Sequence, residues 1–168
     1  MTRKIAMLLM ILVGFLVQTT LFNVLALGGV APNILIILTS SFGFMRGKKD
    51  GMFVGFFCGI YLDILFGDIL GLYALIYLVI GYLNGFFTSI FYPEDIKLPM
   101  VLISSSELLY CILTFFFNYL IQGRTNFGYY FLHSILPEIV YTVLITIIVY
   151  KGILFVDEKL EDFERRRA

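Results

Sequence analysis

Residues 5–45 read IAMLLMILVGFLVQTTLFNVLALGGVAPNILIILTSSFGFM, a run of 41 positions without one charged side chain. A membrane-spanning helix needs about 20 predominantly apolar residues, so this run is long enough for two. Gly28, Gly29 and Pro32 break it between Leu27 and Asn33, because Gly favours a turn and Pro is comfortable only in the first turn of a helix. Each half must be helical, since hydrocarbon offers a backbone no hydrogen-bond partner.

Four more apolar segments follow, at about Gly51 to Phe66, Leu70 to Phe91, Leu98 to Ile121 and Tyr130 to Val156, separated by Gly, Pro or charge. The composition leads to the same reading. Of 168 residues 60% are hydrophobic and 14% charged, whereas soluble domains carry roughly 25% charged residues, and a chain this short cannot hide so much apolar side chain in one core. The expected fold is an all-α integral membrane protein: a six-helix transmembrane bundle over residues 1–156, then a charged cytoplasmic tail over 157–168. The second and third spans are short, so they should tilt little or be partly shielded by neighbours. The start Met1-Thr-Arg-Lys4 and the string Ala26-Leu27-Gly28 imitate a signal peptide, but the apolar run far exceeds the ~7–15 residues of a signal core. A retained anchor is expected.

With six spans, Arg3, Lys4, Arg46, Lys48, Lys49, Lys97, Lys151, Lys159, Arg165, Arg166 and Arg167 share one side, and only Arg124 lies on the other. Eleven against one places both termini in the cytoplasm by the positive-inside rule. An odd number of spans would scramble the bias.

The net charge is zero and there is a single histidine, His133, so no basic face for nucleic acid is present. Cys58 and Cys111 fall in separate apolar runs without metal-ligand spacing and read as buried apolar filler; no metal and no cofactor is expected. The chain contains no HxxxH, GxSxG or phosphate-binding glycine loop, which argues against catalysis.

The informative residues are the polar ones inside apolar segments, because an ionisable group near the bilayer centre costs roughly 2.5–3.5 kcal/mol and therefore faces a partner or a cavity. Gly51, Gly55 and Gly59 precede Asp63 at four-residue steps, Gly67 follows, and Asp68 falls in the outer turn. Small residues so spaced let a second helix approach to backbone contact, and the reading offered here is a partner-binding ridge ending at Asp63. On the fifth segment Ser104, Glu107, Cys111, Thr114 and Asn118 share one face, a polar seam with Glu107 near mid-depth. The sixth carries Ser134, Glu138, Thr142 and Thr146 at i,i+4 steps, with Pro137 expected to kink the helix. Gln18, Asn33, Asp63 and Glu138 then form an outer cluster able to bind a solute, relay protons or grip another protein's membrane helix. Gly81 and Gly85 make a GxxxG, a packing device in a membrane.

The strings Gln18-Thr-Thr-Leu-Phe22, Ala31-Pro-Asn-Ile-Leu35, Arg46-Gly-Lys-Lys49, Gly59-Ile-Tyr-Leu-Asp-Ile-Leu-Phe-Gly-Asp68 and Gly71-Leu-Tyr73, with the Pro137-Glu138 step, occur in an order and spacing that resembles the rod shape-determining protein MreD family across nearly the whole chain. The resemblance implies a non-catalytic component of the bacterial inner membrane within the cell-elongation machinery. It implies binding to the scaffold protein MreC, association with MreB, RodA and penicillin-binding protein 2, and a part in regulating peptidoglycan synthesis and cell shape. It also extends in fold to the S components of energy-coupling-factor vitamin transporters, the alternative function. Against that alternative, the four-residue steps on the first helix read Ala6, Met10 and Gly14, where S components often carry small residues throughout.

Overall fold

The computed structural model describes residues 2–24, 30–67, 70–117, 128 and 131–166. Among them are six α-helices: α1 (Thr2–Val24), α2 (Ile34–Arg46), α3 (Lys48–Phe66), α4 (Leu72–Asn84), α5 (Lys97–Phe115) and α6 (Leu136–Arg165). A 3-10 turn, Gly85–Ile90, prolongs α4, and a π-helical turn, Phe131–Ile135, leads into α6. All six expected segments are helices, and the fold is all-α. Asp68, Asn118 and Arg124 lie outside the described residues.

Three of the helical stretches are long and apolar enough to cross a membrane by themselves: Leu72–Ile90, Lys97–Phe115 and Phe131–Phe163. Helix α2 is of another kind. Its 13 residues reach only about 20 Å at 1.5 Å per residue, against a hydrocarbon core of about 30 Å. Every residue from Ile34 to Phe44 is buried, and α2 packs against all five other helices. A helix apolar all round belongs in the interior, and here it forms the axis of the bundle. The shielding expected of the short second segment is therefore complete.

Helices α3 and α4 run antiparallel with almost nothing between their backbones. Gly59 faces Ala74, Gly55 faces Tyr77, Gly51 faces Gly81, and Gly85 faces Lys48. A Cβ at any of these four glycines, or at Gly81, would fall closer than 3.0 Å to backbone atoms of the opposing helix. The same is true where α2 enters: a Cβ on Gly43 would lie 2.9 Å from the Gly81 carbonyl oxygen. The ridge that the sequence offers to a partner is thus filled by α4 of the same chain, and Gly51, Gly55 and Gly59 have no free face. The reason is local. Gly47 (φ +99°) joins α2 to α3 in a single residue, and Gly71 (φ +95°) starts α4 soon after α3 ends, so the smoothest face of α3 meets its sequence neighbour first.

Polar ties complete the packing. Asn84 on α4 donates from Nδ2 to the Ile80 carbonyl (2.9 Å) and to Ser106 Oγ on α5 (2.8 Å). At the end of α2, Arg46 Nε donates to Asp157 Oδ1 at 2.8 Å, with Arg46 Nη2 also 2.8 Å from that oxygen. Glu161 lies 3.8 Å from the same guanidinium and pairs with Arg165 at 3.3 Å. Helix α6 runs unbroken through these residues; its 30 residues span about 45 Å, more than a bilayer core. Pro137 does not lie within the body of α6, where the expected kink was placed. It sits in the first turn of α6, where proline's missing N–H removes least, and the irregularity falls instead in the π-helical turn just before it.

The seam between α3 and α4 yields a paired expectation. Gly81→Leu places a side chain against backbone that cannot move aside, at a cost above the ~3 kcal/mol usual for overpacking, and should abolish the monodisperse peak in detergent gel filtration. Gly152→Leu, where an added Cβ meets nothing within 4 Å, should elute as the wild type.

Candidate functional site

The polar residues of the bundle converge at the end where α1 finishes and α2 begins. A buried helix start leaves orphan N–H groups that water cannot reach. Asn33 caps α2: its Oδ1 accepts from the Ile36 N–H at 3.2 Å and from the Tyr77 hydroxyl at 2.9 Å. Gln18 reaches across from α1, its Oε1 accepting from the Ile34 N–H at 2.7 Å. The N–H of Asn33 itself donates to Thr142 Oγ1 on α6 at 3.0 Å. Helices α1 and α6, with the cap residue Asn33 itself, thus supply the partners that the first turn of α2 lacks.

Asp63 does the same for α4. Its two carboxylate oxygens accept from the N–H groups of Tyr73 and Ala74, each at 2.9 Å, so a buried charge sits on the positive end of a helix. It is a cap supplied by the neighbouring helix and does not line the cavity described next.

Gln18, Asn33 and Glu138 do meet. Together with Tyr73, Tyr77 and Tyr110 they line a cavity of about 220 Å³. Tyr77 and Tyr110 pack edge to face with ring centroids 5.5 Å apart. At its inner margin Glu138 faces the α5 seam. Glu107 and Cys111, one helical turn apart, bring their ligand atoms and that of Glu138 to within 4.8 Å of one another. Cys111 Sγ lies 4.0 Å from Glu107 Oε1 and 3.9 Å from Glu138 Oε2. Glu107 is wholly buried, and its second oxygen, Oε2, has no hydrogen-bond partner among the described residues.

The structure therefore divides the expected outer cluster. Gln18, Asn33 and Glu138 share a cavity, Asp63 caps α4, and Glu107 joins Glu138 from below; Asn118 lies outside the described residues. On α5, Glu107, Cys111 and Thr114 are all buried. Tyr77, Tyr110 and Thr142 complete the site. Thr142 was visible as one step of the i,i+4 stripe through Glu138, whereas no sequence signal separates Tyr77 and Tyr110 from the 11 tyrosines of the chain.

A family model described as rod shape-determining protein MreD matches residues 1–156. No curated protein matches the chain, and no solved structure does.

The capping geometry predicts that Asp63→Ala, which removes the acceptors of one buried and one part-buried N–H group, lowers stability by roughly 2–3 kcal/mol. Asp63→Asn, which keeps one acceptor oxygen, should lose about half as much. Thermal unfolding in detergent measures both, and hydrogen exchange should rise first at Tyr73 and Ala74.

Proposed function

The chain belongs to the rod shape-determining protein MreD family, and on that premise we propose that it is a non-catalytic component of the bacterial cell-elongation machinery. In this reading it binds the scaffold protein MreC directly and joins MreB, RodA and penicillin-binding protein 2 in regulating peptidoglycan synthesis and cell shape. It resides in the bacterial plasma membrane with both termini cytoplasmic and residues 157–168 as its charged tail. The family match across 156 residues carries the reading. The orientation is supported by the eleven-to-one split of Lys and Arg, and by the contact of Arg46 with Asp157, which puts the α2–α3 turn and the distal part of α6 at the same end.

The partner's membrane helix needs a face that the bundle leaves open, and the α3–α4 seam is closed. A furrow of about 470 Å³ runs between α1 and α6 with α2 at its base, bordered by Val13, Gly14 and Val17 on one side and Val149, Gly152 and Val156 on the other. Its glycines remove side chains where two helices would touch. We assign the MreC helix to this furrow. Gly152→Leu and Gly14→Leu should cut copurification of MreC about tenfold or more while the protein stays inserted and monodisperse. Undiminished copurification from both variants removes the furrow from the interface, and no copurification from the wild type removes MreC binding altogether.

The alternative, an S component of a vitamin transporter, has one observation in its favour, the tyrosine-lined cavity. Native mass spectrometry of freshly purified protein should then show a retained organic molecule that Tyr77→Leu loses. A bare polypeptide mass, unshifted by added vitamins, dismisses it.

A further inference from the structure

Most of the buried polar groups described above have partners that explain them. Glu107, Cys111 and Glu138 differ in that their main partners are one another: the Cys111 thiol touches both carboxyl groups, and the two carboxyl groups pair across the helix contact. Two carboxyl groups and a thiol converge from α5 and α6 within 4.8 Å, in a segment of the bundle that sits among apolar helices. One of the carboxylate oxygens, Glu107 Oε2, is buried without a partner. Leaving a buried carboxylate oxygen unsatisfied is costly, and sequence neighbours do not force it: Glu107 and Glu138 are brought together only by the packing of α5 on α6.

We propose that Glu107, Cys111 and Glu138 bind a divalent transition-metal ion, with Zn²⁺ the best fit, and that the tyrosine-lined cavity is its way in. Three ligands and an open position make up a four-coordinate zinc site. With Zn–S near 2.3 Å and Zn–O near 2.0 Å, tetrahedral ligand atoms stand about 3.5 Å apart. The two sulfur-to-oxygen separations are 3.9 and 4.0 Å, about half an ångström too long, and the two carboxyl groups, within 4.8 Å of each other, also close in on the ion. The thiol selects the class: hard Mg²⁺ and Ca²⁺ take oxygen alone, while a mixed sulfur and carboxylate set suits a borderline ion. Glu138 belongs both to the cluster and to the cavity wall, so the cavity reaches the cluster at that residue. On binding, Cys111 gives up its thiol proton and the carboxyl pair the proton it shares, and the divalent ion offsets two of the three negative ligand charges in a setting where isolated charge is disfavoured. This site is independent of MreC and of the family reading.

The test uses the full-length protein in mild detergent, stripped with chelator and reloaded with ZnCl₂. After gel filtration, elemental analysis should find about one zinc per chain, and the unfolding temperature should rise by roughly 5 °C at a hundredfold excess over Kd. Glu107→Gln, Glu138→Gln and Cys111→Ser should each weaken retention about tenfold or more. Reloading with CoCl₂ gives a readout that does not depend on the stability of any carboxylate variant. A thiolate-to-cobalt charge-transfer band should appear in the wild type, persist in Cys58→Ala and vanish in Cys111→Ser. Wild-type protein holding no zinc above the detergent blank overturns the proposal. So does zinc retained equally by Cys111→Ser and Glu107→Gln, which marks an adventitious ion only, or a cobalt complex without the thiolate band.

Discussion

The fold depends on one constraint: a helix too short to cross the bilayer is held entirely inside it. Only protein can satisfy the start of α2, whose first turns are wholly buried, because an unpaired N–H there has no other partner. Gln18, Asn33 and Thr142 answer that need at one end, and Asp157 neutralises Arg46 at the other. These contacts come from α1, α2 itself and α6, so the helices that are most separated in sequence are bound to one another through the axis they surround. The cavity at the start of α2 is a by-product of that arrangement, since side chains drawn in to cap a helix leave unfilled space behind them.

The second organising contact is the backbone-to-backbone seam of α3 and α4. Association between helices in lipid relies on close packing, as the hydrophobic effect that drives it in water is absent. Glycines at Gly51, Gly55, Gly59, Gly81 and Gly85 allow the two helices to touch along their whole shared length. Since that glycine surface is consumed within the chain, the faces left for another protein are those turned to lipid. Among these the furrow between α1 and α6 is concave, with Gly14 and Gly152 on its two walls, the shape that a single helix fills.

The buried polar groups fall into two kinds, and the difference bears on function. Gln18, Asn33 and Asp63 each hold identified hydrogen bonds and are explained by the needs of the fold. Glu107 keeps an oxygen without a partner beside a second carboxyl group and a thiol, which the fold does not need. A carboxylate pair in an apolar bundle is a place where something positive belongs.

Helix number, helix type and the membrane setting were legible in the sequence, because each rests on composition and on the spacing of Gly, Pro and charge along a single segment. The i,i+4 rows through Glu107 and Cys111, and through Glu138 and Thr142, were legible for the same reason: one helix alone defines its faces. What covers those faces was not. The glycine ridge of α3 announces close contact with some helix, but the identity of that helix depends on the one-residue turn at Gly47 and on the return of the chain at Gly71. Asp63 reads as a costly charge in lipid, and only the start of α4 beside it turns it into a cap. Glu138 and Cys111 stand 27 positions apart, with no spacing rule to join them. Periodicity within a helix is a local property written residue by residue, whereas the pairing of faces is settled by which whole set of buried hydrogen bonds and backbone contacts can be satisfied at once.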